Sequence, residues 1–339
     1  MDDPLEEVKR ISNPSGVFLF EKEGKRILLL GDLHTPQERE CVHCNPPQCM
    51  NYTHLIGALD KYHKATSTNL DVFVEISAPD YPHKRASRVY RGVAQMFNRG
   101  LRSLFSKSLD LVTSRSELLS KLYFHGSIPT AQRYHYFDFR FTQLFKDYGF
   151  DIDTILRVDR QATNPEKREV ALRTYRDTIV ARYPTKKELV STFKDFLFGK
   201  PFDPSYPNRS RLSHGMTRIA KQFYKLESRS ERALVRSFAI STLEEILRSY
   251  DYKDEEYSGL AIFTALILLT DIYAICRFLR FFSKQSPGST SVFLSGLSHS
   301  KNYAEFLKRW GARKIFSAEA KERKCIRVQM GKTRRKRSL

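Results

Sequence analysis

The sequence predicts an α/β fold: a mixed central β-sheet with flanking helices and a large helical insertion. Two short runs, residues 26–30 (RILLL) and 70–76 (LDVFVEI), are apolar almost throughout, as strands buried on both faces are. A third such run, residues 291–295, comes near the other end of the chain. Most of what lies between has helical periodicity.

The elements follow in order. Residues 16–21 (GVFLFE) and 26–30 flank EKEGK and predict a hairpin. The second run ends in Gly31-Asp32-Leu33-His34. A Cys-rich loop and a helix over 51–64 precede the strand over 70–76, which closes on Glu75. Residues 77–82 form a loop. The stretch 84–127 is basic and helical, with Arg85, Arg88, Arg91, Arg99 and Arg102. Residues 133–141 (RYHYFDFRF) alternate as a strand.

A helical region then runs from 142 to 252. Asn164-Pro165 supplies a cap and a first-turn proline for a helix to about 182. A short amphipathic helix covers 187–198, a Pro-rich loop 200–210, and two helices about 211–227 and 229–250. An apolar helix follows over 257–282. Residues 291–295 form a strand ending in Gly296-Leu297-Ser298-His299. A helix over 303–310 is capped by Gly311, and short strands over 314–317 and 325–329 close the sheet. The predicted organisation is 1–141 as the first half of the sheet domain, 142–285 as the helical insertion, 286–330 as the rest of the same sheet, and 331–339 as a disordered basic tail.

Apolar residues make up 41% of the chain, which excludes wholesale disorder. The net charge is +20, and residues 321–339 alone hold nine Lys and Arg against one acid. A basic body and tail attract polyanions, so nucleic acid is an expected partner; a solvated basic face is the plainer alternative. Arg334, Arg335, Lys336 and Arg337 read as a nucleic-acid contact or import signal, or as a solubilising tail.

The acidic, polar start MDDPLEEVKR has no apolar core of a secretion signal. The five cysteines are odd in number, with Cys276 in an apolar helix and Cys325 in a basic segment. They predict no disulfide framework and a reducing, intracellular setting rather than secretion. Residues 260–276 are apolar enough to suggest a membrane span, but Asp271 interrupts them and Arg277 follows. A charge at mid-span costs roughly 2.5–3.5 kcal/mol on insertion scales, so a buried core helix is expected.

The strongest chemical signal is an echo. RILLLGDLH and SVFLSGLSH each run a buried strand into Gly-x-x-His. Alone, either histidine reads as a surface-turn residue. At the carboxyl ends of strands in one sheet, where α/β folds place ligands, the two can meet. With Glu75, His34 and His299 form a donor set suited to Mn, Co or Zn.

The order Gly-x-x-His, strand-end Glu, Arg and late Gly-x-x-His resembles the TraB/TIKI/GumN superfamily, to which EreA-like and ChaN-like sheets are related. Gly31 and His34, Glu75, Arg140, and Gly296 and His299 carry the match. A closer likeness is to proteins of large eukaryotic DNA viruses. It rests on Asp32, the run Asp71 to Glu75, Asp138 and Arg140, Asp271, Tyr273 and Arg277, and Gly296 to His299. Ser298 departs from that pattern. The first likeness implies a metal-dependent hydrolase acting on peptide, ester or phosphoester. The second implies a giant-virus protein of the host cytoplasm, nucleus or virion, and no settled activity comes with it.

On this reading His34, Glu75 and His299 hold the ion, and Asp32 or Glu75 moves the proton. Asp138 serves as ligand or base, and Arg140 stabilises developing negative charge. Asp138 and Arg140 share one strand face and could equally form an ion pair. Asp271 and Arg277 support the site or pair within the core. Cys41, Cys44, Cys49 and His54 have nearly zinc-knuckle spacing and read as a structural zinc site or as a free-thiol loop. The alternative function is a non-enzymatic basic viral protein that keeps the fold and binds nucleic acid.

Overall fold

A computed structural model describes residues 2–12, 14–32, 41, 45–77, 132–138, 185–198, 222–249, 255–320 and 325–328. The fold is α/β with two sheets. The chain divides into two compact units. The first comprises Met1–Glu75, Gly92–Tyr136 and Lys284–Leu339, the second Ile76–Arg91 and Phe137–Ser283.

The first unit carries the larger sheet. Its strands are β2 (Gly16–Lys22), β3 (Lys25–Asp32), β5 (Leu70–Ser77), β6 (Gln132–Asp138), β7 (Thr290–Gly296) and β8 (Arg313–Glu319). Their spatial order is β6-β5-β7-β3-β2-β8. β2 and β3 form the expected hairpin. Glu23 and Gly24 both have positive φ, the geometry of a tight two-residue turn whose twist matches that of the strands. β7 runs parallel to β3 on one side and to β5 on the other. Ile27 to Leu30, Val72, Phe73 and Val292 to Leu294 are all buried, which explains their unbroken apolar character.

The smaller sheet has β1 (Arg10–Ser12) at its centre, parallel to β4 (Cys49–Met50) and antiparallel to β9 (Cys325–Arg327). The sequence predicts β9 but assigns it to the larger sheet, where the structure places only β8; β9 pairs with β1 instead. Strands β1 and β4, of three and two residues, were not expected. Nor was the first-turn helix α1 (Pro4–Glu7). Helix α2 (Tyr52–Ala65) is capped by the Asn51 side chain, which accepts the His54 N–H at 2.9 Å.

Helix α6 (Leu297–Arg309) follows β7 with no intervening loop. Its buried positions, His299, Ser300, Tyr303, Ala304, Phe306 and Leu307, recur at helical spacing and face β2, β3 and β7. The helix ends at Gly311 (φ 77°), where Ala312 N–H reaches the Leu307 carbonyl and Gly311 N–H that of Lys308. The sequence predicted this helix only from 303. The polar GLSHSK stretch hides its first two turns, because buried His299 and Ser300 stand where apolar residues would mark the stripe.

The second unit contains α3 (Lys186–Phe198), α4 (Arg229–Ser249) and α5 (Glu255–Phe282). Val235, Phe238, Ala239, Leu243 and Leu247 form the buried stripe of α4. Lys186 Nζ donates to the Leu247 carbonyl at 2.8 Å and ties α3 to α4. Among the described residues no helix is long and apolar enough to cross a membrane. Asp271 is fully buried within α5.

The cysteines require a correction. Cys41 and Cys325 form a disulfide across 284 residues of sequence, Cys49 is also disulfide-bonded, and Cys276 is a buried free thiol. The expectation of reduced cysteines fails because it counted residues and could not foresee that β9 returns to β1.

Candidate functional site

The site begins with strand register. Gly31 pairs with Ser295 and Asp32 with Gly296, while Val74 on the other flank pairs with Leu294. Three parallel strands therefore end side by side. Asp71, Phe73 and Glu75 point to one face of β5, as Ser291, Phe293 and Ser295 do on β7. Helix α6 lies over that face, its first turn above the strand ends.

Glu75 and His299 meet there. His299 Nε2 lies 3.1 Å from Glu75 Oε1. The Gly296 backbone N–H donates to Glu75 Oε2 at 2.6 Å. Both side chains are buried. The carboxylate sits at the N-terminus of α6, where the helix dipole favours negative charge and a backbone donor needs a partner. The imidazole reaches it because His299 occupies the buried stripe of α6. The sequence placed this histidine at a strand end; it lies on the first turn of the helix.

The two motif glycines do different work. A Cβ on Gly31 would lie 3.0 Å from the Leu297 Cα and 3.0 Å from Ser300 Oγ. Its missing side chain lets α6 approach β3. Gly296 has φ −58° and ψ 152°, so it needs no left-handed backbone. Neither glycine has a positive φ. Behind Gly31, Ser295 Oγ and Ser300 Oγ share a hydrogen bond of 2.9 Å.

Farther back on the same face lies a network centred on buried Asp71. Arg133 grips its carboxylate with Nε and Nη2, both at 2.6 Å, and His135 Nε2 lies 2.8 Å from Oδ1. Gln285 donates to Asp71 Oδ2 and, at 3.0 Å, to Ser291 Oγ. Burial raises the Asp71 pKa, but the bonds and charges of His135 and Arg133 outweigh it and hold the group at about 2. Phe73 stacks on His135 at 4.4 Å and on Phe293 at 4.6 Å, and Tyr303 packs on Phe293. A layer of rings thus separates the Asp71 network from the Glu75–His299 pair. The only sequence signal for this network was an aspartate inside an apolar strand, which must find partners.

Among the described residues no group of three or more His, Cys, Asp or Glu side chains is arranged to hold a metal ion. Glu75 and His299 supply two donors of the right type. The third donor expected from sequence, His34, lies outside the described residues. Asp32 and Asp138 end β3 and β6, and their side chains lie outside them too. So do Arg140, Cys44 and the tail residues Arg334, Arg335, Lys336 and Arg337.

Asp271 and Arg277 belong to the second unit, where Arg277 Nη1 donates to Tyr273 Oη at 3.1 Å. The zinc-knuckle reading of Cys41, Cys44, Cys49 and His54 does not fit. Cys41 and Cys49 are oxidised and present no thiolate, and His54 is exposed on α2. No family model, curated protein or solved structure matches the chain, and the likeness to the TraB/TIKI/GumN superfamily rests on the motif residues alone.

Proposed function

We propose that the chain is a metal-dependent hydrolase of the TraB/TIKI-like kind, acting on a peptide, ester or phosphoester. The observation that carries this reading is the 3.1 Å contact between His299 and Glu75 where three parallel strands end together. Glu75, His299 and His34 would hold a divalent ion, Mn, Co or Zn. Such an ion supplies Lewis acidity and a water of lowered pKa.

The protein groups do the positioning. The Gly296 N–H fixes one carboxylate oxygen of Glu75 and leaves the other facing His299 Nε2. Asp32 or Glu75 accepts the proton from water, and Arg140 meets the developing oxyanion, with Asp138 as base or ligand. Metal content by mass spectrometry tests the reading. Wild-type protein should carry a divalent ion that His34→Ala and His299→Ala both lose. Full occupancy in both variants would refute it.

The net charge of +20 favours a second reading, a non-enzymatic protein that binds nucleic acid through its basic surface, in a virion or host cell. Absence of metal together with DNA affinity that falls steeply with salt would select it.

A further inference from the structure

We propose that the Cys41–Cys325 disulfide is a permanent structural cross-link, installed by a disulfide-bearing oxidant through thiol–disulfide exchange. The geometry around Ser12 points to it. Ser12 pairs with Cys325 across the β1–β9 ladder, and its Oγ accepts the Cys41 backbone N–H at 3.0 Å. Those two contacts bring the Cα atoms of Cys41 and Cys325 to 4.9 Å, within disulfide range. The small sheet itself is slight: β1 and β9 have three residues each and β4 two. Ladders so short supply little cohesion, and a covalent tie across 284 residues supplies what they lack.

The cysteines divide by location in a way that fits. Cys41, Cys49 and Cys325 all belong to this sheet or abut it, and all are oxidised. Cys276 lies fully buried in α5 and stays a thiol. Burial raises its pKa well above the ordinary thiol range and keeps it unreactive.

The exchange balances without any other reagent. Cys325 is the more exposed of the pair, so its thiolate attacks one sulfur of the oxidant's disulfide and expels the other as a thiolate. The Cys41 thiolate then attacks Cys325 Sγ in the mixed disulfide. The Cys41–Cys325 bond forms, and the oxidant departs as a dithiol, carrying two electrons and the two thiol protons. The protein therefore acquires its final form where such an oxidant operates.

The full-length chain is equilibrated in an oxidising glutathione buffer, alkylated with N-ethylmaleimide and digested without reductant. The expected product is a linked Cys41–Cys325 peptide, with Cys276 alkylated only after unfolding. Reduction, or Cys41→Ser, should lower Tm by about 10 °C. In Cys41→Ser, Cys325 should trap glutathione as a mixed disulfide. Two outcomes overturn the proposal: both cysteines fully alkylated in the oxidising buffer, or thiols that a chelator must first expose, which would make them metal ligands. A linked peptide whose reduction leaves Tm unmoved refutes the structural role.

Discussion

His299 Nε2 stands 3.1 Å from one oxygen of the Glu75 carboxylate, whose other oxygen holds the Gly296 N–H at 2.6 Å. One buried carboxylate thus satisfies a helix N-terminus and an imidazole together. Glu75→Ala removes both acceptors and should cost about 3 kcal/mol. Glu75→Gln keeps one acceptor and should cost about 1 kcal/mol. Urea unfolding of the two variants checks this; equal stabilities would mean that charge and hydrogen bonding at Glu75 are idle.

Gly31→Ala places a methyl group against the Leu297 backbone and Ser300 Oγ, neither of which can rotate freely away. Helix α6 must shift outward. The expected loss is about 1–3 kcal/mol. Gly16→Ala meets mainly the Leu297 Cδ1 methyl, the far end of a flexible side chain, and should cost less. Thermal melts of the pair give the comparison, and a reversed order would contradict the packing of α6 on β3.

Asp71 governs acid stability. Its carboxyl is held near 2 in the folded chain against an ordinary 3.8. Its stabilisation is therefore full above pH 3.8 and lost as pH falls toward 2. The amount is about 2 kcal/mol by linkage. Asp71→Asn should remove the pH dependence in that window and destabilise the fold at neutral pH, because Arg133 loses its counter-charge. Denaturant midpoints between pH 2 and 4 provide the test.

His63 acts in a higher window. Burial, then the Arg26 guanidinium, lower its pKa from 6.5 to about 4, with Asp3 pulling the other way. Between pH 4 and 6.5 the unfolded chain binds the proton more readily, so stability rises with pH there. The slope from one proton cannot exceed about 1.4 kcal/mol per pH unit. His63→Gln should flatten the stability profile over this range. Unfolding curves at pH 4.5 and 7 for both proteins measure it, and an unchanged slope in the variant would assign the dependence elsewhere.

The α/β class was readable because β3, β5 and β7 are unbroken apolar runs, and such runs mean burial on both faces. Glu75 and His299 were readable as a pair because each ends or follows such a run. The rest depended on chain returns that periodicity does not encode. Arg133 and His135 look like ordinary members of an aromatic strand until β6 lies beside β5 and presents them to Asp71. Cys41 and Cys325 become partners only because β9 pairs with β1. The start of α6 was missed because the chain passes from strand to helix at Gly296 without a loop, and the helix opens on polar residues.

Strand β7 fits between β3 and β5, although its residues come more than 200 positions after those of β5. During synthesis, the early strands must therefore wait with their inner edges unfilled until the final portion of the chain emerges. Pairings so distant in sequence are slow to form, and open strand edges meanwhile invite association with other chains. Fragments ending before Thr290 should for this reason aggregate rather than persist as small folded domains.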